Sequence, residues 1–528
     1  MSDRQRVAVV TGGGGGIGAA IAESLGRTGV YVVTVDPLVS VDGSEQLPAP
    51  EETTAGRITA AGGAARASAV SVTDASGVRG LFEELDGEFG GLDAVVNVAG
   101  ITRPTSFATG TDDDWRSVLS VHLDGYHNVL RAALPLMAAR GRGHILGVTS
   151  GSGWRSADAG AYGCAKRAVA ALTWQLGRHA PPGVVINAIS PIAATRMVAA
   201  ALSRAQSSSG PATGGLSLGS MPAPEDLGPL GAHLVGDGFT SCHGRVLFAG
   251  GSEVAVIDEP RLIEVVRCDD VPSQAHIVQA ATRIVLARAE ASQVSGGGSN
   301  ARFGSTFDGP PAEDLPASAA QSCAIVAEDT GVAAALAAAL HSRGVRTHQI
   351  KDPTELTDLE ALDAVVVAAG AGTPEATGAG SEWERILAEH DGLSAQIYAD
   401  ATWARAVAEF AGSTNRCTRL VTVTAATSAG GRSRAQAWAQ LARAGRKATG
   451  DLVLPFAVSV ETADFPTELV GHLVCSPDAS GLAGAELVSG AGWFGLRSHP
   501  RPLGSMSYGG PAVPRWFDDT LREVVQSR

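Results

Sequence analysis

Val7-Ala-Val-Val-Thr-Gly12-Gly-Gly-Gly-Gly16-Ile17-Gly18 leads from an apolar strand into a glycine loop and straight on into an amphipathic helix that runs to about Arg27. Glycine is needed where a backbone turns sharply and where a Cβ would keep a pyrophosphate from the free N–H groups of a helix N-terminus. A glycine run alone also suits a flexible turn, but this one sits at the first strand–helix crossover. The next strand, Val30–Val35, ends at Asp36. A carboxylate about twenty residues past such a loop accepts hydrogen bonds from the adenosine ribose hydroxyls and repels a 2′-phosphate. The loop holds no Arg or Lys and Pro37-Leu38 follows the acid, so the stretch predicts NAD rather than NADP.

Outward from it, apolar runs at Val70–Val72, Ala94–Val96, His144–Val148, Val184–Ile189 and Arg245–Phe248 alternate with Ala-rich helical segments. Continuous apolar strands separated by helices predict a parallel sheet covered on both faces. Between 291 and 321 the sequence turns to Gly, Ser and Pro, the composition of a flexible linker. The pattern then begins again. Leu92-Asp-Ala-Val-Val-Asn-Val-Ala-Gly100 is echoed by Leu362-Asp-Ala-Val-Val-Val-Ala-Ala-Gly370, and Trp115 and His122 by Trp383 and His390. The expected fold class is α/β, with two tandem Rossmann-like doubly wound domains: a catalytic one over 1–290 and a degenerate one over 322–528.

With 528 residues, 45% hydrophobic and 18% charged, the chain has material for two cores. The net charge of −14 argues against a nucleic-acid partner. Six cysteines without metal-ligand spacing suit a reducing compartment, and no convincing metal set appears. No window reaches the roughly 18 apolar residues of a membrane span. The expectation is a cytoplasmic protein with no membrane partner.

Tyr162-Gly-Cys-Ala-Lys166 puts a phenol and an ammonium on one helix face. A nearby cation stabilises phenolate, which predicts a lowered Tyr162 pKa and proton exchange with a substrate oxygen. Only three of the 40 basic residues are lysines, so an accidental pair is improbable by composition. Upstream, Ser150 ends a strand where a hydroxyl can hold a carbonyl oxygen.

Together these residues resemble the short-chain dehydrogenase/reductase family over about the first 260 residues. Gly12, Gly16 and Gly18 match its glycine signature, Asn97-Val-Ala-Gly100 its Asn-x-Ala-Gly segment, and Ser150, Tyr162 and Lys166 its catalytic set. The resemblance implies that Tyr162 is the acid/base, that Lys166 tunes it and binds the nicotinamide ribose, and that Ser150 orients the substrate oxygen. It implies NAD contacts at Gly12, Gly14, Gly16, Ile17 and Asp36, then Ser71, Val72, Asn97, Ala99 and Gly100, with Pro191, Ile192 and Thr195 toward the carboxamide. His122 stands where the family usually has a fourth catalytic residue, Asn, which makes a proton relay there doubtful against a packing role. Ser150 precedes Tyr162 by twelve residues where thirteen is common, so Ser152 is a possible substitute.

Trp115-x6-His122, Asn187-Ala-Ile-Ser-Pro191 and Ala194-Thr-Arg-Met197 look like the D-3-hydroxyacyl-CoA dehydrogenase domain of multifunctional β-oxidation enzymes and related hydroxysteroid dehydrogenases. That implies a small hydroxy or keto substrate, an acyl thioester or steroid-like molecule, beneath a lid over 193–225. An NADPH-dependent 3-ketoacyl reductase and a non-catalytic NAD(H) sensor are the alternatives. In the second half, two acids in Ala324-Ile-Val-Ala-Glu-Asp-Thr-Gly331 oppose a pyrophosphate, and neither Tyr398 nor Tyr508 has a lysine four residues on. The second half is therefore expected to be silent and to form a pseudo-dimer with the first inside one chain. A further homodimer is left open.

Overall fold

The computed structural model describes residues 4–48, 50–200, 221–268, 274–294, 317–359, 361–368 and 380–526. Most of the expected linker, the centre of the expected lid and the end of the second echo at Gly370 lie outside them.

Strands β1 (Val7–Thr11), β2 (Tyr31–Val35), β3 (Ala64–Ser68), β4 (Ala94–Asn97), β5 (Gly143–Val148), β6 (Val184–Pro191), β7 (Val246–Gly250) and β8 (Glu253–Ile257) follow one another in the first half. After them come β9 (Leu262–Arg267), β10 (Ser322–Ala327), β11 (Arg346–Gln349), β12 (Ala364–Ala368), β13 (Thr418–Ala425), β14 (Val453–Val460), β15 (Glu486–Gly490), β16 (Trp493–Arg497) and β17 (Pro502–Ser507). They form two sheets, ordered β17-β8-β7-β6-β5-β4-β1-β2-β3 and β11-β10-β12-β13-β14-β15-β16-β9. Pairing is parallel from β3 to β7 and from β11 to β15. The two sheets are thus the doubly wound pair read from the repeat, the second one strand shorter.

One strand differs from the sequence reading. The third strand is Ala64–Ser68, and Val70–Val72 follows it as loop. β3 is the outermost strand of its sheet and only partly covered, so it needs no apolar run. Val70 and Val72 instead line the cavity described below.

The sheets also exchange edges. β9 leaves the first half to pair antiparallel with β16, and β17 leaves the second to pair antiparallel with β8. The crossing segments run side by side, Arg261 and Ser498 bonding to each other through Ser498 N to Arg261 O (2.8 Å) and Arg261 N to Ser498 Oγ (3.1 Å). Residues of β9 and of the helices that follow it, Val266, Val278 and Ala289, pack in the core of the second sheet, while Met506, Phe517 and Leu521 pack in the first. The chain therefore passes to the second sheet before β9, some way ahead of the boundary expected at 290. An open hairpin edge is a pairing template, and each half closes the other's.

Between the sheets the helices Gly160–His179 and Ala429–Ala448 pack together. Val129, Leu172, Ile386, Leu387, Trp403 and Leu441, from both halves, belong to one hydrophobic core. The approach is close: a Cβ on Gly445 would lie 2.6 Å from the Phe107 ring. Inside this contact Arg167 Nη2 pairs with Glu486 Oε2 at 3.0 Å, with 2% and 7% of the side chains exposed. Arg167→Met strands a buried carboxylate and is expected to cost about 3–5 kcal/mol. Arg167→Met with Glu486→Leu should recover most of that in chemical denaturation, and a double variant no more stable than the single one would contradict the assignment.

Candidate active site

A cavity of about 720 Å³ opens at the carboxyl ends of the parallel strands of the first sheet, where strand order reverses between β1 and β4. The glycine loop forms one side of it. Gly12 has φ +65°, and a Cβ there would lie 2.8 Å from Ala99 N, so glycine lets the loop meet the segment after β4. Gly15 opens the helix Gly16–Arg27, whose N-terminus no side chain caps. A Cβ on Gly15 would enter the cavity with only Arg196 Nη2 near, at 3.4 Å. An uncapped helix N-terminus behind a glycine floor fits a dinucleotide pyrophosphate.

Asp36 is fixed at the cavity edge, accepting from Gly14 N (3.0 Å) and Leu38 N (2.8 Å). Gly12, Gly16, Ile17, Ser71, Val72, Ala99, Gly100, Pro191 and Thr195 also line the cavity. Three expected contacts are not among its lining residues. Gly14 gives its N–H to Asp36, and Gly15 takes the cavity-facing place. Asn97 is buried, accepting from Thr11 Oγ1 at 2.8 Å, a strut between β1 and β4. Ile192 continues pairing beyond β6, its N–H bonded to Ala249 O, and Ala193 lines the cavity instead.

The opposite wall collects Ser150, Tyr162, Lys166 and His122. Ser150 follows β5, and its Oγ accepts from Ser152 N at 3.2 Å. Its hydroxyl lies close enough to the Tyr162 phenol to pull that group's pKa down. Ser152 does not line the cavity, so the geometry brings Ser150 and not its possible substitute to the tyrosine. Lys166 Nζ donates to Val148 O at 2.7 Å and stands 5.7 Å from the centre of the Tyr162 ring. His122 lies in a π-helical turn, Ser120–Asp124, that interrupts a long helix, its ring edge-on to Tyr162 at 4.9 Å between centres. Its Nε2 is 2.7 Å from Ile101 O, and its buried Nδ1 has no partner among the described residues.

Electrostatics here follow burial more than the sequence suggests. Burial raises the Tyr162 pKa and the Ser150 hydrogen bond pulls it back, so the expected lowering by Lys166 is not what the site shows. Burial lowers the Lys166 ammonium to about 7 from its ordinary 10.5. Burial, then the charge of Lys166, pushes the His122 pKa well below its ordinary value against the raising effect of the Ile101 carbonyl.

Sequence reasoning missed Val39 and Val41, in the loop after β2, and Arg196, which lines the cavity beside the glycine loop. Arg196 directly follows Thr195, the only signal that a cation was at hand. At the corresponding turn of the second half, Asp329 caps the helix Thr330–His341, accepting from Gly331 N (2.7 Å) and Val332 N (3.1 Å). Its carboxylate occupies the N–H groups a phosphate would use. Tyr398 lies under Arg116 at the contact between halves, and Tyr508 stacks edge-on against Phe517.

Residues 6–206 match the family model described as short chain dehydrogenase. The chain is 36% identical over 196 residues to a putative short-chain type dehydrogenase/reductase of Mycobacterium tuberculosis, covering 37% of this chain and 68% of that one. It is 37% identical over 197 residues to a short-chain reductase of Streptomyces niveus, covering 37% and 72%. A peroxisomal hydratase-dehydrogenase-epimerase of Neurospora crassa is 31% identical over 252 residues, 47% of this chain but only 26% of that much longer protein. Among solved structures, the N-domain of a bacterial malonyl-CoA reductase, determined with NADP, superposes with a TM-score of 0.64 at 17% identity over 89% of this chain and 95% of that one. That likeness is of fold and extends over both halves.

Lys166 supplies a test of the burial described above. Between about 7 and 10.5 the unfolded chain holds a proton that the folded chain has released, so the lysine makes stability rise with pH in that window and adds no slope below it. Denaturation of the wild type beside Lys166→Met from pH 6 to 9.5 should show the wild type gaining on the variant above about pH 7. A constant difference would mean the lysine keeps its ordinary pKa.

Proposed function

The chain belongs to the short-chain dehydrogenase family and is an oxidoreductase acting on CH–OH groups with a nicotinamide cofactor, and on that premise we propose that it interconverts a secondary alcohol and a ketone with NAD. The observation that carries this reading is a single cavity with Ser150, Tyr162 and Lys166 on one wall and Asp36 and the glycine loop on another. The cofactor supplies the hydride acceptor in oxidation and the donor in reduction. Tyr162 Oη takes the alcohol proton or returns it to the ketone oxygen. The Ser150 hydroxyl holds the same oxygen, and Lys166, whose charge is labile near neutrality, steadies the phenolate and would bind the nicotinamide ribose. His122 keeps the Tyr162 ring in place by edge contact, as a positioning residue. Gly12, Gly15, Gly16 and Ile17, with Arg196 beside Gly15, would hold the pyrophosphate, and Asp36 the adenosine ribose.

The proposed substrate is a 3-hydroxyacyl thioester or a steroid-like alcohol. In support, apolar side chains of Val121, Met197 and Val198 also line the cavity, and fungal relatives carry dehydrogenase and hydratase in their names. The second reading, an NADPH-linked ketoacyl reductase, is favoured by one observation, the Arg196 cation beside Gly15. The second half serves as a built-in, non-catalytic partner in a pseudo-dimer. Among the described residues no helix is long and apolar enough to cross a membrane.

Tyr162→Phe should lower turnover by about 10²–10⁴-fold while NADH binding, followed by fluorescence, stays unchanged. Retained turnover would remove Tyr162 from the chemistry. In the same titration NADH should bind more tightly than NADPH, and Asp36→Ala should narrow the gap; tighter NADPH binding to the wild type would establish the second reading.

A further inference from the structure

The loop that carries Ser150 is held from the other half of the molecule. Within Ser150–Arg155 the N–H groups are used locally: Gly153 N bonds to Ser150 O, and Trp154 N and Arg155 N bond to Gly151 O. The Trp154 indole reaches Ser190 Oγ at 2.9 Å. Three carbonyls of the loop take donors from the helix Ala429–Ala448 instead. Gln440 Nε2 donates to Ser152 O (3.0 Å) and Arg155 O (2.8 Å), and Arg443 Nη1 donates to Trp154 O (2.9 Å). Gln440 is 3% exposed, and a buried amide needs its partners. Its methylenes also approach Gly163, where a Cβ would lie 3.8 Å from Gln440 Cγ, next to the reacting tyrosine.

Ser152, whose carbonyl Gln440 holds, is the residue whose N–H orients the Ser150 hydroxyl, and Ser150 lines the same cavity as Tyr162 and acts on its phenol. We propose that Gln440 and Arg443 are positioning residues through which the second half sets the geometry of Ser150 and Tyr162. The inference rests on the catalytic reading above. The second half thus contributes to turnover without touching cofactor or substrate. Removing its donors takes from Ser152 O and Trp154 O their partners across the contact, while Arg155 O keeps only Ala157 N, and the loop relaxes away from its reactive geometry.

The test uses the full chain. Gln440→Met keeps the side-chain length and removes both donors, Arg443→Met removes the third, and Arg443→Lys retains a cationic donor. Expected for both Met variants are a fall in kcat of about 10-fold or more, since small displacements of reacting groups are costly. NADH affinity and the substrate KM should stay within about twofold, and amide exchange should speed up across 150–156. Arg443→Lys should recover most of kcat. An unchanged kcat with unchanged exchange overturns the role, and so does a rise in KM alone, which signals weakened binding. Should Gln440→Met fail to fold, the Arg443 pair decides by itself. A wild type without turnover would sink the catalytic reading, whereas variants equal to an active wild type would sink only this one.

Discussion

The helix Gly160–His179 is the member on which the rest depends, because it is buried along almost its whole length and serves two sides at once. Through Tyr162 and Lys166 it faces the cavity, and through Arg167 and Gln175 it faces the second half. A helix covered all round needs neighbours on every face, and the first sheet alone leaves one face bare. Small residues such as Gly163, Ala168 and Ala171 allow the neighbours in close. The same burial that brings the helices together dries the lysine, so packing and electrostatics in this site have one origin.

What was legible in the sequence was local. The glycine loop, the acid at the end of β2 and the Tyr–Lys pair each announce themselves within a few residues, because turn geometry and helix spacing are short-range constraints. Central strands were equally plain, since a strand buried on both faces must be apolar throughout. β3 was misplaced because an edge strand carries no such pattern. The exchange of β9 and β17 left no mark for a related reason: edge pairing uses backbone groups, which every residue has. Arg196 was overlooked because its place beside Gly15 is made by contact across the fold.

The second half keeps the order of parallel strands with a different turn at its first strand–helix crossover. Its strands keep the apolar runs that build a sheet, but at the turn where a phosphate would bind, Asp329 caps the helix with its own carboxylate. A cap of this kind stabilises the helix and uses the N–H groups that an anion would need. What the half retains is surface: Leu441, Trp403 and Ile386 in the common core, and a buried carboxylate on β15 that answers Arg167.

The crossed strands carry a consequence for how the two halves could be parted. Two domains joined by a linker alone can be separated, reshuffled or lost one at a time. Here each sheet ends in a strand supplied from beyond the other's hairpin, so deleting one copy exposes a raw edge on the survivor. The exchange thus makes each half a structural requirement of the other, whatever chemistry either one carries.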